Sequence, residues 1–259
     1  MKILAIGDVV ASVGCDYLRK VLPTLKKQKN IDVVIANGEN SADGNGITPN
    51  SAEFLFDSGV DIITTGNHSF RRKEIYEYYD KTEHIVRPAN YPENTTPGKG
   101  MCIFDMGRIQ IAVINIMGTI YLENLKNPLE VADDYLKRAD EIGAKIKIID
   151  IHAEATSEKI ALAYYVDGRA TAVFGTHTHV QTADETILTN GTGYITDIGM
   201  TGPIHSVLGV KPEIVIQKIK TKMPCRFETA IGDCKLNGAI FEIDEKTGKT
   251  KGIERIEIK

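Results

Sequence analysis

Residues 33–40 read Val-Val-Ile-Ala-Asn-Gly-Glu-Asn, an apolar run that ends in polar residues. A short apolar run bounded by turn-forming residues is typical of a buried strand. Polar side chains directly after such a strand lie at its carboxyl end, which is where open α/β sheets bind ligands. The stretch therefore predicts a strand with candidate functional residues at its end.

The same pattern recurs along the chain, with apolar runs separated by amphipathic stretches. Such alternation of strands and helices indicates an α/β fold. The predicted strands are 3–6, 33–36, 62–65, 109–114, 146–151 and 171–174. Between two of them, from Leu129 to Gly143, the helically spaced apolar residues Ala132, Tyr135, Leu136, Ala139 and Ile142 predict a core-facing helix.

Two later segments predict β-hairpins. One is 186–196 around Asn190-Gly191, and the other is 239–258 around residues 246–248. Parallel strands with helices in the first part and hairpins in the last indicate two packed mixed β-sheets flanked by helices. No repeat or linker divides the chain, so we expect a single domain over residues 1–259.

Composition narrows the classes of function. There are 31 Lys and Arg against 35 Asp and Glu, and this formal net charge of -4 does not favour strong binding to a nucleic-acid backbone. The chain shows neither a signal-peptide pattern nor an apolar run long enough for a membrane span, so we expect a cytoplasmic protein. Four scattered cysteines predict free thiols, with a Cys225–Cys234 disulfide as the alternative.

The strand ends carry a common set of side chains that can bind metals. They are Asp8, Glu39, Asn40, Asn67, His152, His177 and His179. Oxygen and imidazole donors without a thiolate suit iron, manganese, zinc or magnesium. Seven donors are too many for one tetrahedral zinc and suit two ions that share a carboxylate. Asp8 alone would more often form a turn, and the histidines are what favour a metal site.

Several of these motifs resemble a known family. Gly66-Asn67-His68 and Gly175-Thr176-His177-Thr178-His179 resemble the metallophosphoesterase, or calcineurin-like, superfamily, whose fold is an α/β sandwich. The segments 37–40, 152–159 and 197–203 resemble its YmdB-like branch. The resemblance extends from Asp8 to about Pro203, and five motifs occur in the same order.

The resemblance implies a role for each residue. Asp8, Glu39, Asn40 and His179 would hold one metal. Glu39, Asn67, His152 and His177 would hold the other, so that Glu39 bridges. His68 would be the catalytic imidazole. Val10 replaces a histidine ligand of the wider superfamily, as in the YmdB-like branch, and Asn40 would stand in for it. Ser69-Phe70-Arg71 replaces an acidic residue of many relatives, which leaves the substrate contacts beside His68 open.

The function implied is that of a binuclear metal-dependent phosphodiesterase acting on cyclic nucleotides or related diesters. In-line attack by a metal-bridging hydroxide would be assisted by His68 as general acid. We expect iron or manganese, with zinc or magnesium as alternatives. A phosphomonoesterase and a regulatory nucleotide- or RNA-binding protein with slow turnover are the competing functions. The sequence leaves open the formation of a homo-oligomer. His205 could line the substrate cleft or lie on a loop, and Asp197 could support a ligand histidine or form a turn.

Overall fold

The computed structural model describes all residues from 1 to 259. Six α-helices are present: α1 (Ala11–Lys29), α2 (Pro49–Asp57), α3 (Tyr76–Lys81), α4 (Pro128–Ile142), α5 (Thr156–Tyr165) and α6 (Pro212–Thr221). The fourteen strands are β1 (Lys2–Ile6), β2 (Asp8–Val9), β3 (Val33–Asn37), β4 (Ile62–Thr64), β5 (Ile85–Val86), β6 (Met101–Asp105), β7 (Gln110–Met117), β8 (Ile146–His152), β9 (Ala172–Thr176), β10 (Thr186–Ile187), β11 (Gly193–Ile195), β12 (Met200–Pro203), β13 (Cys234–Ile243) and β14 (Thr250–Ile258). A short 3₁₀ helix, Lys73–Ile75, precedes α3.

The strands form two mixed sheets. The first sheet has the order β2-β12-β13-β1-β3-β4-β5, with β14 paired to β13, and β1, β3, β4 and β5 run parallel. The second sheet has the order β10-β11-β9-β8-β7-β6, with β7, β8, β9 and β11 parallel. This arrangement confirms the fold class expected from the sequence.

The sheets pack face to face, and helices cover their outer faces. In β1, Ile3 and Ala5 belong to the core between the sheets, whereas Leu4 and Ile6 pack in the outer core that contains residues of α1 and α2. Because successive strand residues point to opposite faces, an apolar run without alternation marks a strand buried on both sides. Burial of both faces of the strands therefore explains why their sequences are apolar along the whole length.

Local sequence signals account for the helix bounds. Thr48 and Ser51 form a capping box at the start of α2, and Asn127 caps α4 through the Leu129 N–H. Gly143 ends α4 with a φ of 87°. The expected core face of α4 is buried except for Ile142, which is 48% exposed because it lies in the last turn.

The two hairpins form as expected. The second is longer than expected, because its pairing begins at Leu236, opposite Ile258, and continues to Ile243, opposite Thr250. All four cysteines are free thiols. No helix has the length and apolar character needed to cross a bilayer.

Candidate metal centre

Strands of both sheets deliver their ends to one place between the two sheets. From the first sheet come the oxygen-bearing side chains of Asp8 in β2, Glu39 and Asn40 after β3, and Asn67 after β4. The imidazoles come from the second sheet, with His152 at the end of β8, and His177 and His179 after β9. The structure brings all seven predicted residues together.

One group of donors surrounds the Nε2 atom of His152. This atom lies 2.9 Å from Asn67 Oδ1, 3.2 Å from Glu39 Oε1 and 3.1 Å from His177 Nδ1. The ligand atoms of Glu39, His152 and His177 all lie within 4.8 Å of one another. These are the four residues that the resemblance assigned to the second metal.

The other group surrounds the amide of Asn40. Its Nδ2 atom lies 3.3 Å from Asp8 Oδ1, 3.3 Å from His179 Nε2 and 3.4 Å from Glu39 Oε1. The same Glu39 oxygen thus contacts both groups. The second Glu39 oxygen accepts a hydrogen bond of 2.8 Å from the His68 backbone N–H.

His152 is held in one orientation by buried hydroxyl and carboxyl groups. Thr176 Oγ1 donates its single proton to Asp150 Oδ1 at 2.7 Å. In its contact of 2.9 Å with His152 Nδ1 the hydroxyl oxygen must therefore be the acceptor, and Nδ1–H the donor. This bond leaves Nε2 as the nitrogen that faces Glu39 and Asn67. Asp150 could have been found from the sequence, because it lies two residues before His152 on the same face of β8.

The other two imidazoles are oriented by groups that the sequence did not reveal. His177 Nε2 lies 3.0 Å from Glu154 Oε2, which leaves Nδ1 facing His152. His179 Nδ1 lies 3.1 Å from the carbonyl oxygen of Leu208, which leaves Nε2 facing Asp8. The one indication in the sequence was that Glu154 lies within 152–159, a segment that resembles the YmdB-like branch.

The loop that carries both histidines is strained and firmly held. His177 has a φ of 94° and His179 a φ of 63°, values rare for residues with a side chain. Asp197 accepts from the Thr178 N–H at 3.2 Å and the Thr178 hydroxyl at 2.7 Å. Lys159 binds Asp197 at 2.7 Å, and both side chains are 1% exposed. Asp197 therefore supports the loop backbone and not an imidazole ring.

The electrostatics of the site favour a cation. Burial raises the pKa of Asp8 and Glu39, but neighbouring imidazoles outweigh it and hold both pKa values below their ordinary range. Burial lowers the pKa of His152, yet Glu39 outweighs it and raises the value to about 9. For His177, burial and then His152 lower the pKa to about 4. A cation bound here would displace a proton from His152.

His68 lies at the edge of this cluster. Its Nδ1 atom is 2.8 Å from Asn40 Oδ1 and 3.3 Å from Glu39 Oε1. Together with His179 it lines a cleft of about 1150 Å³. His205, by contrast, is exposed on a loop and does not line the cleft.

The donors fit divalent metal ions. Two buried carboxylates and three imidazole nitrogens converge with two amide side chains, and no lysine or arginine forms an ion pair with either carboxylate. Buried charges normally require a partner or a metal. Carboxylate, amide and imidazole donors are those that first-row divalent metals accept.

Comparison with known proteins agrees with the geometry. The model of the YmdB-like protein family matches residues 4–256. The chain is 48% identical over 256 residues to the 2′,3′-cyclic-nucleotide 2′-phosphodiesterase of Bacillus subtilis (strain 168), covering 99% of this chain and 96% of that protein.

Two solved structures are similar over nearly their whole length. A hypothetical protein from Thermus thermophilus is 40% identical with a TM-score of 0.93, covering 100% of this chain and 99% of that one. A novel phosphatase from Mycoplasma pneumoniae is 36% identical with a TM-score of 0.93, covering 100% of this chain and 93% of that one. The chain therefore belongs to the YmdB-like protein family of metallophosphoesterases.

Proposed function

We propose that this chain is a metal-dependent phosphoric ester hydrolase that cleaves phosphodiesters, with cyclic nucleotides as its substrate class. The observation that carries the proposal is the convergence of seven donor side chains beside His68, an imidazole held next to the donors at the mouth of a cleft. The name of the Bacillus subtilis relative supports the cyclic-nucleotide class.

Two ions would share the seven donors. One would be held by Asp8, Glu39, Asn40 and His179, and the other by Glu39, Asn67, His152 and His177. Iron or manganese suits this set of oxygen and imidazole ligands. When bound, two divalent ions would supply positive charge for the phosphoryl oxygens and activate a water.

Asn40 would couple the metal site to His68. An amide binds a cation through its oxygen, whereas here its nitrogen faces Asp8 and His179. Exchange of the two amide atoms would place the oxygen among the donors and the nitrogen beside His68 Nδ1. Glu39 Oε1, 3.3 Å from Nδ1, would then remain as the acceptor for the proton on that ring nitrogen.

His68 would act as the general acid. In the reaction a water oxygen forms a bond to phosphorus, a P–O bond of the diester breaks, and the departing oxygen takes a proton. The protonated ring, an imidazolium, can supply it from Nε2 and becomes neutral, because the ordinary pKa of an imidazole lies near neutral pH. Glu39 helps to fix the backbone of His68, because it accepts a hydrogen bond from the His68 N–H.

The test compares wild-type and His68→Ala proteins loaded with Mn²⁺ or Fe²⁺, with metal content measured in both. Turnover of bis(p-nitrophenyl) phosphate and 2′,3′-cyclic AMP should fall roughly 10²- to 10⁴-fold in the variant, which should keep its metals. His205→Ala is the matched control, because His205 is exposed outside the cleft. Its rates should equal those of the wild type.

Each other outcome has a defined meaning. Equal rates in wild-type and His68→Ala proteins would remove His68 from the mechanism. A preference for p-nitrophenyl phosphate over the diesters would favour a phosphomonoesterase. Absence of turnover by metal-loaded wild-type protein would favour a regulatory nucleotide-binding protein.

A further inference from the structure

The cleft beside the metal centre extends well beyond it. His68 and His179 are part of its lining. A segment that follows α6 also lines it and is here called the 225–231 wall: Cys225, Arg226, Phe227, Glu228, Thr229, Ala230 and Ile231. Pockets for small ligands usually measure about 300 to 1000 Å³. A cleft of about 1150 Å³ therefore has room for more than one nucleotide.

The cleft contains positive charge that no carboxylate neutralises. Its two acidic residues are already paired, Asp43 with Arg72 at 3.4 Å and Glu228 with Lys211 at 2.6 Å. The two remaining cations of the lining, Arg226 and Lys218, form no ion pair. In a chain of net charge -4 this local excess favours an anionic ligand at the 225–231 wall.

The same wall presents an aromatic ring. Phe227 is 48% exposed although it is strongly apolar, and Lys218 Nζ lies 4.4 Å from its ring centroid. The ammonium group covers one face of the ring and is held there by cation–π attraction. Exposed aromatic faces beside cations are the features by which proteins bind single-stranded nucleic acid without reading its sequence.

The 225–231 wall is hydrogen-bonded to the loop that orients a metal-site histidine. Ala230 N–H donates to the Gly209 carbonyl at 2.9 Å, and Thr229 forms a β-bridge with Val210. The neighbouring Leu208 carbonyl accepts from His179. The spacing between the wall and the metal centre is therefore fixed by the backbone.

From these observations we propose a second nucleotide subsite, so that the substrate is the end of a single-stranded oligonucleotide. The terminal cyclic phosphodiester lies at the metal centre. The base of the preceding nucleotide stacks on Phe227, and its phosphate lies against Arg226 and Lys218. This inference rests on the proposed function, and it adds no chemical step, because water still cleaves the one terminal P–O bond.

The experiment uses the metal-loaded full chain and three substrates: bis(p-nitrophenyl) phosphate, 2′,3′-cyclic AMP and the dinucleotide ApA with a terminal 2′,3′-cyclic phosphate. The wild type should show a kcat/KM for the dinucleotide about ten-fold or more above that for cyclic AMP, as expected for one stacked base. Phe227→Leu and Arg226→Gln should each bring this ratio towards one.

Matched controls are Tyr164→Leu and Arg108→Gln, which change an exposed aromatic and an exposed arginine outside the cleft. Both should retain the wild-type ratio, and urea unfolding checks that all four variants are folded. A drop in the ratio of the controls equal to that of Phe227→Leu would overturn the subsite.

The two levels of the proposal fail in different ways. In one case the wild type turns over all three substrates with a kcat/KM for the dinucleotide equal to that for cyclic AMP. This result would overturn the subsite and leave the proposed function standing. If the wild type hydrolyses none of them, calorimetric titration with ApA 3′-phosphate still decides the subsite. Tighter binding of this dinucleotide than of 3′-AMP, lost in Phe227→Leu, supports it, and equal binding refutes it.

Discussion

Substitution of Gly66 by alanine should dismantle one half of the metal centre while leaving the fold in place. A Cβ atom at residue 66 would lie 2.2 Å from Cδ2 and 2.3 Å from Nε2 of the His152 ring, whereas ordinary contacts begin at 3.4 Å. Restoring that distance requires a movement of about 1.2 Å. The backbone of His152 is fixed between β7 and β9, so the ring must move.

Such a displacement is large compared with the tolerance of a metal site. Ligand distances are normally kept within about 0.2 Å, so His152 Nε2 would no longer share a metal with Asn67 and His177. A misplacement of about 1 Å can cost roughly 10² in rate. Overpacking in the buried site should also lower the free energy of unfolding by about 1 to 3 kcal/mol.

The assay measures metal content after dialysis, diester turnover, and urea unfolding of the metal-free protein. Gly252→Ala is the matched control, because the nearest atoms to a Cβ there belong to Glu242 at 3.8 Å and the φ is not positive. Its free energy of unfolding should stay within about 1 kcal/mol of the wild type. Wild-type metal content and turnover in Gly66→Ala would refute the assignment of His152 as a ligand.

Other substitutions address the groups that support the centre. Glu154→Ala should weaken metal binding about ten-fold in a chelator competition assay, because His177 loses the group that orients it, while Glu154→Gln keeps an acceptor and most of the affinity. Lys159→Met should lower the free energy of unfolding by about 3 kcal/mol in urea, because Asp197 is left as a buried charge, and an unchanged midpoint would contradict this. At about pH 8 only Cys225 should react rapidly with Ellman's reagent in the native protein. The other three cysteines are buried, and burial raises the pKa of their thiols. In urea all four thiols should react.

The strands and the ligand set could be predicted from the sequence because both follow from local pattern. An apolar run such as 33–36 must be buried, and the polar residues after it must then lie at the sheet edge. A Cβ at residue 7 would meet the Gly199 carbonyl, and a Cβ at residue 66 would meet the His152 ring. Both positions therefore need glycine for the close approach of other groups and not for a positive φ, which neither residue has.

The supporting groups other than Asp150 could not be predicted, because they depend on how distant segments meet. Leu208 orients His179 through a carbonyl oxygen, which every residue has. Glu154 is half exposed and looks like an ordinary surface acid. The sequence left Asp197 open between a turn and an imidazole partner, and only the packing of α5 against the loop reveals its bonds to Lys159 and Thr178.

The division of the donors between the two sheets has a consequence for the order of folding. The four oxygen donors lie within residues 8–67, whereas the three imidazoles of the ligand set lie within residues 152–179. A chain leaving the ribosome therefore contains strands β1 to β4 long before any of these three imidazoles has been made. Metal cannot guide the pairing of β1, β3 and β4, and its binding energy becomes available only after β8 and β9 have been made. The first sheet is completed later still, by β12 to β14, so the ions would act as a late clamp between the two sheets.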